Sequence, residues 1–487
     1  MIAAAMLVTL ASTAIVVQDA VPLRAAPSDN APVQAQLQQG DALELRGRKG
    51  DYLQVWDHRR ERPGYVRAPQ VREVGSAAAD APGLLAVLRF VRDTPGAEAL
   101  GVAYAAAYLK AVPAREITAE PFDALGQMAD RLARRASARG ADARVAARVD
   151  GVAQYGIKFQ SLEQDGSIRL CFDGEAWRDV LALPNASAEQ RARAILGLTA
   201  HDCADATASR NPNEPLTQRQ AQDVERAELL DRLGPTDWAT LDEPLRNRIR
   251  LRRAGVWARV AHAQALRGES ATAAGQRALQ ELAAVQKSEL TEDDLADYRE
   301  AAIRVGASRW AAEPMVTPAT PTGARPTLVT RAGQPGETCV LLVDAAHGEK
   351  SPLLRRCTYG VAWLASMRVN PAGTAVALAV QPLATWRELW LMKKTPAGWT
   401  LDVLPPAAGN PLGSDMGYLE FAGWVPEASP KLLLAREQRV NGRVTRRFEV
   451  TQLASLSVTK QAGTPEQLAA FKRWRDPAWV RQTVSVR

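Results

Sequence analysis

The sequence predicts a multidomain α+β protein: a small N-terminal β-barrel over 18–75, a central α-helical domain over 84–312 and a C-terminal all-β domain over 327–487. Three observations predict it. Between Val16 and Glu73, short runs of alternating apolar residues are separated by the turn signals Gly40-Asp41 and Lys49-Gly50-Asp51, the spacing of a five-stranded barrel. From Leu84 the apolar period lengthens to nearly four, in a stretch rich in alanine. Beyond a stiff 313–326 linker containing Pro314, Pro318, Pro321 and Pro326, helical patterning gives way to β-rich runs. A chain of 487 residues accommodates roughly two to four such domains.

The first 17 residues are uncharged and apolar and stop at Gln18-Asp19. Their length suits the core of a signal peptide and is short for a membrane span, and Ser12-Thr13-Ala14 offers small residues for cleavage after Ala14. No Lys or Arg precedes the run, so a retained anchor or a first barrel strand is the alternative; a membrane is a partner only if the segment is retained. Four cysteines, an even number, fit an oxidising compartment, and export to a periplasm-like space is the expectation. The local pairings Cys171–Cys203 and Cys339–Cys357 keep each bond within one expected domain. The net charge of +7 comes mainly from arginines dispersed through the chain, and no reading motif accompanies it, so nucleic acid is not an expected partner.

In the helical domain, Leu84, Leu85, Leu88 and Val91, then Ala99, Val102, Ala106 and Leu109, mark two helices broken apart at Thr94-Pro95-Gly96. A third runs from Phe122 with Leu125, Met128 and Leu132 on its inner face. A β-hairpin interrupts the helices over 155–172, alternating on both sides of Asp165-Gly166. Ser187 and Gln190 form a capping box, and Thr291 opens a helix with acids in its first turn. From Leu216 to about Ala312 the pattern is paired amphipathic helices, either an irregular helical-repeat array or a bundle. The C-terminal strands are expected at 338–343, 361–369, 374–380, 386–392, 399–404, 418–425, 431–435 and 443–453, with Trp386 and Trp390 in the core.

Chemistry-bearing motifs do not stand out. The four histidines (His58, His201, His262, His347) lie in distant segments, and none has a nucleophile in a recognisable setting. His201-Asp202-Cys203 reads as a helix end carrying a disulfide. Neither the G-x-x-x-x-G-K-[ST] nor the G-x-G-x-x-G phosphate cradle occurs. The reading is therefore a protein that is not an enzyme, with no cofactor and no metal.

The segments Leu23–Ser28, Leu37–Asp41, Gly50–Val55 and Gly64–Val66 resemble the bacterial SH3-like domain family. The chain departs from the family's pattern at Pro22-Leu23-Arg24 and at Gly64-Tyr65. The resemblance implies binding of peptidoglycan or a peptide. Tyr52, Trp56 and Tyr65 supply flat amphipathic faces and Arg59, Arg60 and Arg62 supply charge, so these six are the candidate ligand-binding residues. Trp56 shares a strand face with Gln54, opposite Leu53 and Val55, and is the best surface candidate. Asn370–Ala377 resembles the strand entry of periplasmic β-propeller blades, leaving a partial propeller or a sandwich for the last domain. The expected function is an exported, non-catalytic envelope protein that binds the wall or peptides through the barrel and other proteins through the remaining domains. Its rivals are a pure assembly scaffold whose barrel packs on its own domains, and an envelope hydrolase with an unfamiliar site.

Overall fold

The computed structural model describes residues 13–138, 140–164, 166–204, 216–316 and 323–482. The apolar residues 1–12, the hairpin-turn residue Asp165, and Pro318 and Pro321 of the linker lie outside them. The chain divides into two compact units, Met1–Arg210 with Pro235–Thr240, and Asn211–Gly234 with Leu241–Arg487. The chain as a whole is mixed α and β, with an N-terminal antiparallel sheet, central helices and C-terminal sheets.

The first unit begins with a sheet of seven strands: β1 (Thr13–Val16), β2 (Val21–Arg24), β3 (Val33–Leu37), β4 (Ala42–Lys49), β5 (Tyr52–Asp57), β6 (Arg62–Arg67) and β7 (Val71–Val74). Their order is β3-β2-β6-β5-β4-β1-β7, every pairing is antiparallel, and the end strands β3 and β7 are not joined. In place of the expected small five-stranded barrel, the described residues form a seven-stranded sheet that does not close, around one core of Ala14, Val16, Leu23, Leu37, Leu53, Val55 and Val66.

The difference lies chiefly in β1. Residues 13–16 read as the end of an apolar leader, but Ala14 and Val16 point into the sheet's core while Ile15 points the other way, against Leu84, Ala103 and Tyr104. A strand buried on both faces is uniformly apolar and shows no alternation. Cleavage after Ala14 would cut this strand.

Behind the sheet stand α1 (Ala81–Arg92), α2 (Glu98–Ala111), α3 (Glu120–Ala136), α4 (Ala143–Val152), α5 (Glu175–Ala182) and α6 (Ala188–Leu198). Polar ties reinforce the apolar packing. Arg148 pairs with Asp19 and donates to the Gly96 carbonyl at 3.0 Å, and the Tyr155 hydroxyl donates to the Gly40 carbonyl at 2.7 Å. The hairpin forms as β8 (Phe159–Gln164) and β9 (Ser167–Phe172), and Cys171 is bonded to Cys203 across 32 residues. Ser187 caps α6, its hydroxyl accepting from the Gln190 amide while its own amide donates to the Gln190 side chain.

The second unit combines α7 (Leu216–Asp231), α9 (Glu243–Leu266), α10 (Thr272–Ala283) and α11 (Glu292–Ser308) with the C-terminal sheets, whereas the short α8 (Pro235–Thr240) belongs to the first unit. Three strands, β10 (Thr327–Ala332), β11 (Thr338–Val343) and β12 (Leu354–Thr358), form one sheet. An eight-stranded sheet follows in the order β13-β14-β15-β17-β18-β19-β20, with β16 (Gly398–Leu404) also on β15. Its strands are β13 (Val361–Val369), β14 (Ala375–Leu383), β15 (Trp386–Thr395), β17 (Met416–Val425), β18 (Lys431–Val440), β19 (Arg443–Gln452) and β20 (Val458–Ala462). Leu328, Val340 and Leu342 of the small sheet share a core with Val376, Leu378, Trp390 and Met392 of the large one. Cys339 sits directly opposite Cys357 and is bonded to it. Ile303 and Ala307 of α11 pack on Tyr418, Ala422 and Phe448, with Phe471 of α12 (Ala469–Trp474) and Trp479 of α13 (Pro477–Gln482) closing the same cluster. The units therefore part inside the helical region, and the last helices belong with the sheets.

Among this unit's buried polar groups are Glu420 and His262. Glu420 on β17 takes Arg309 on one carboxylate oxygen and Arg387 on the other, the Arg309 Nε bond measuring 2.8 Å. Burial pushes the Glu420 carboxyl up, and the two guanidiniums overcome it and hold the group below the ordinary range. His262 of α9 is fully enclosed and donates from Nε2 to the Gln381 carbonyl at 3.4 Å. Burial pushes its imidazole down to about 4; the Gln381 carbonyl and Asp223 oppose this and Arg259 adds to it.

A histidine depressed in the folded state binds its proton more readily when unfolded, so its stability contribution is complete above the unfolded value of about 6.5. That contribution, about 3 kcal/mol, is expected to be lost as pH falls from 6.5 to 4. Equilibrium unfolding across this window should show the loss, and His262→Gln should flatten it. An equal acid sensitivity in the variant would assign the effect to other groups.

Candidate functional site

The six candidate residues of the N-terminal sheet are held mostly by their own neighbours. Tyr52 is buried: its hydroxyl donates to Asp29 at 2.5 Å and Arg67 lies 5.4 Å over its ring. Arg67 and Tyr52 together bring the Asp29 carboxyl down to about 2. Trp56 is half-buried on the face of exposed Gln54, opposite buried Leu53 and Val55, with Arg46 5.6 Å from its ring and His58 edge-on at 6.5 Å. Tyr65 is half-buried on β6.

Two of the three arginines reach buried carboxylates. Asp41 and Asp57 are buried carboxylates; Arg59 reaches Asp41 at 3.3 Å, and Arg60 reaches Asp41 at 3.0 Å and Asp57 at 2.7 Å. Arg60 and Arg62 also donate to the carbonyls of Gln36 (3.3 Å) and Gln34 (2.9 Å) on the end strand β3. Pro22 stands opposite Gln36 and has no N–H to offer it. Guanidinium groups on the carbonyls of an end strand blunt it against edge-to-edge pairing. Much of the charge on Arg59 and Arg60 is therefore matched by carboxylates of the sheet itself.

Arg60→Ala is expected to destabilise the first unit by about 1–3 kcal/mol, because two buried carboxylates lose a donor. Arg62→Ala, exposed and bound only to carbonyls, should stay within about 0.5 kcal/mol. Denaturant midpoints of the two variants check this.

The second unit holds a different candidate, a groove of about 220 Å³. Its walls come from the end of α9 (Ala265, Leu266), the start of α10 (Ala271, Thr272), Trp310 and Ala311, the following Glu313–Val316, and the start of β11 (Thr338). The run Tyr359–Ala365, leading into and along β13, forms the remaining wall. Met315 is 71% exposed, Tyr359 62% and Val316 52%, and all three line this one groove. Apolar side chains left in water singly are ordinary; a cluster around one concavity marks a binding surface.

No family model, curated protein or solved structure matches the chain.

The groove's chemistry therefore rests on its own residues. Trp310 forms a rigid floor, with Arg309 3.9 Å and Arg368 5.7 Å from its ring. Trp363 is fixed by an indole N–H donated to the Gln381 side chain at 3.1 Å. The charged residues among its lining are Glu269 and Glu313; Glu269 is paired with Arg267, which holds its carboxyl below the ordinary range. Such a surface can bind apolar side chains. At the neighbouring disulfide, Glu337 approaches Cys339 and Cys357, whose sulfurs are committed to one another.

Sequence reading missed this site because its walls come from four stretches of chain. One signal was present: Met315-Val316 puts two large apolar residues inside a stretch otherwise composed as an extended linker.

Proposed function

We propose that the protein is an exported, non-catalytic envelope protein that assembles with partner proteins by taking an extended partner segment into the groove of its second unit. The convergence of Met315, Val316 and Tyr359 on one groove carries this reading. The two disulfides support an oxidising compartment, and a periplasm is the compartment proposed. No described helix is long and apolar enough to cross a membrane. The N-terminal sheet is read as an SH3-like module used structurally. Its Ile15 side and its Arg148 and Tyr155 ties engage the unit's own helices, which favours an assembly role.

The test is retention of the full-length protein on an immobilised pool of apolar heptapeptides. The double variant Met315→Ser/Tyr359→Ala should be retained at least tenfold less with an unchanged Tm, while Leu412→Ser, altered at another exposed apolar residue, should match the parent. Equal retention of all three proteins contradicts the reading.

One observation keeps a second reading in view. Trp56 remains partly open beside exposed Gln54, a face able to stack on a sugar ring of peptidoglycan. Co-sedimentation with purified cell wall, lost in Trp56→Ala, would support it; sedimentation unchanged by the substitution would dismiss it.

A further inference from the structure

The groove's walls include seven consecutive residues, Tyr359–Ala365, and from Val361 these belong to β13. That strand ends the eight-stranded sheet, and among the described residues β14 is its one hydrogen-bonded neighbour in that sheet. A groove running along an end strand offers a ligand main-chain groups as well as side-chain contacts. The strand is also treated differently along its length. Further along, Arg368 donates to the carbonyls of Ala365 and Met367, while the Ser366 hydroxyl bridges β13 to β14, donating to the Trp363 carbonyl and accepting from the Ala379 amide at 2.8 Å. The register with β14 is broken between Trp363 and Arg368, so this half is bulged and capped by its own side chains. Bulges and capping cations are the devices that stop a strand edge from pairing. The register breaks after Trp363 and the Arg368 contacts begin at Ala365, past the stretch flanked by Tyr359.

We infer that the ligand is an extended peptide segment of a partner protein that adds as a strand beside the start of β13 at Val361–Ala362, its alternate side chains resting on Tyr359 and Met315. The Gly360 amide donates to the Thr358 hydroxyl at 2.9 Å and is not part of this edge. This rests on the groove being the binding site and adds the mode of recognition: the main chain supplies affinity and the apolar groove chooses the side chains. The capped half fixes where the added strand stops and disfavours pairing of the whole edge with a second copy.

The test uses full-length protein and two immobilised pools of heptapeptides alternating apolar and polar residues, one with ordinary amides and one N-methylated at every second amide. Strand addition predicts at least tenfold stronger retention on the ordinary pool, slowed hydrogen exchange at residues 361–362 in its presence, and loss of retention in Tyr359→Ala. Equal retention on both pools, with both lost in Tyr359→Ala, overturns strand addition and leaves the groove as a side-chain site. Retention on neither pool overturns strand addition and the groove reading together. Concentration-dependent self-association that the peptides do not compete away would assign the edge to a second copy and also overturn the inference.

Discussion

Glu420→Gln is expected to destabilise the second unit by about 3–5 kcal/mol. The carboxylate bridges Arg309 and Arg387, both buried, and neutralising it leaves two guanidiniums facing one another out of water. Arg387 has further support from the Tyr418 ring 5.1 Å away and from the Ala307 carbonyl at 3.5 Å, neither of which neutralises it. For a unit of this size the loss should lower Tm by roughly 10 °C. The penalty comes from stranded charge rather than from a missing attraction. The combined variant Arg309→Met/Arg387→Met/Glu420→Leu, which removes every charge and keeps the volume, should therefore recover most of the stability. A Tm within 2 °C of the parent for Glu420→Gln would show that the cluster is not closed to water.

Trp177→Ala is expected to cost the first unit about 3–5 kcal/mol. The indole is buried in α5, donates to Asp130 at 3.1 Å, and packs with Val180 and Ala194. Two helices approach it through glycines: a Cβ at Gly126 would lie 2.5 Å from its ring carbons, and one at Gly197 2.3 Å from Nε1. Atoms so closely fitted cannot easily collapse into the space an alanine leaves, so most of the cavity cost should be felt. Phe90→Ala, at a ring that is 80% exposed, should change stability by less than about 0.5 kcal/mol. Comparable losses for the two variants would contradict this packing.

The parts of the fold legible in the sequence were those decided by neighbours along the chain. The hairpin at 159–172, the caps at Ser187 and Thr291, and β11 and β13 follow from turn chemistry, capping and period. The two cysteine pairings were legible because each keeps its bond within one expected domain. Where burial depends on distant residues, less was legible. β1 is apolar on both faces because helices far along the chain cover its Ile15 side, so it read as a leader. Arg59 and Arg60 read as ligand charges because nothing local shows Asp41 as a buried carboxylate beneath them. The groove needs α9, α10, the stretch after Trp310 and β13 together, and no window of sequence spans them.

The central claim is that the groove of the second unit receives a partner protein. Placing a photo-crosslinking benzophenone side chain at position 359, and in separate proteins at the exposed positions 168 and 412, tests it most directly in intact cells. A discrete higher-mass adduct should form from position 359 alone and be lost when Met315→Ser is added. Adducts of the same kind from all three positions, or from 168 or 412 but not 359, would contradict it.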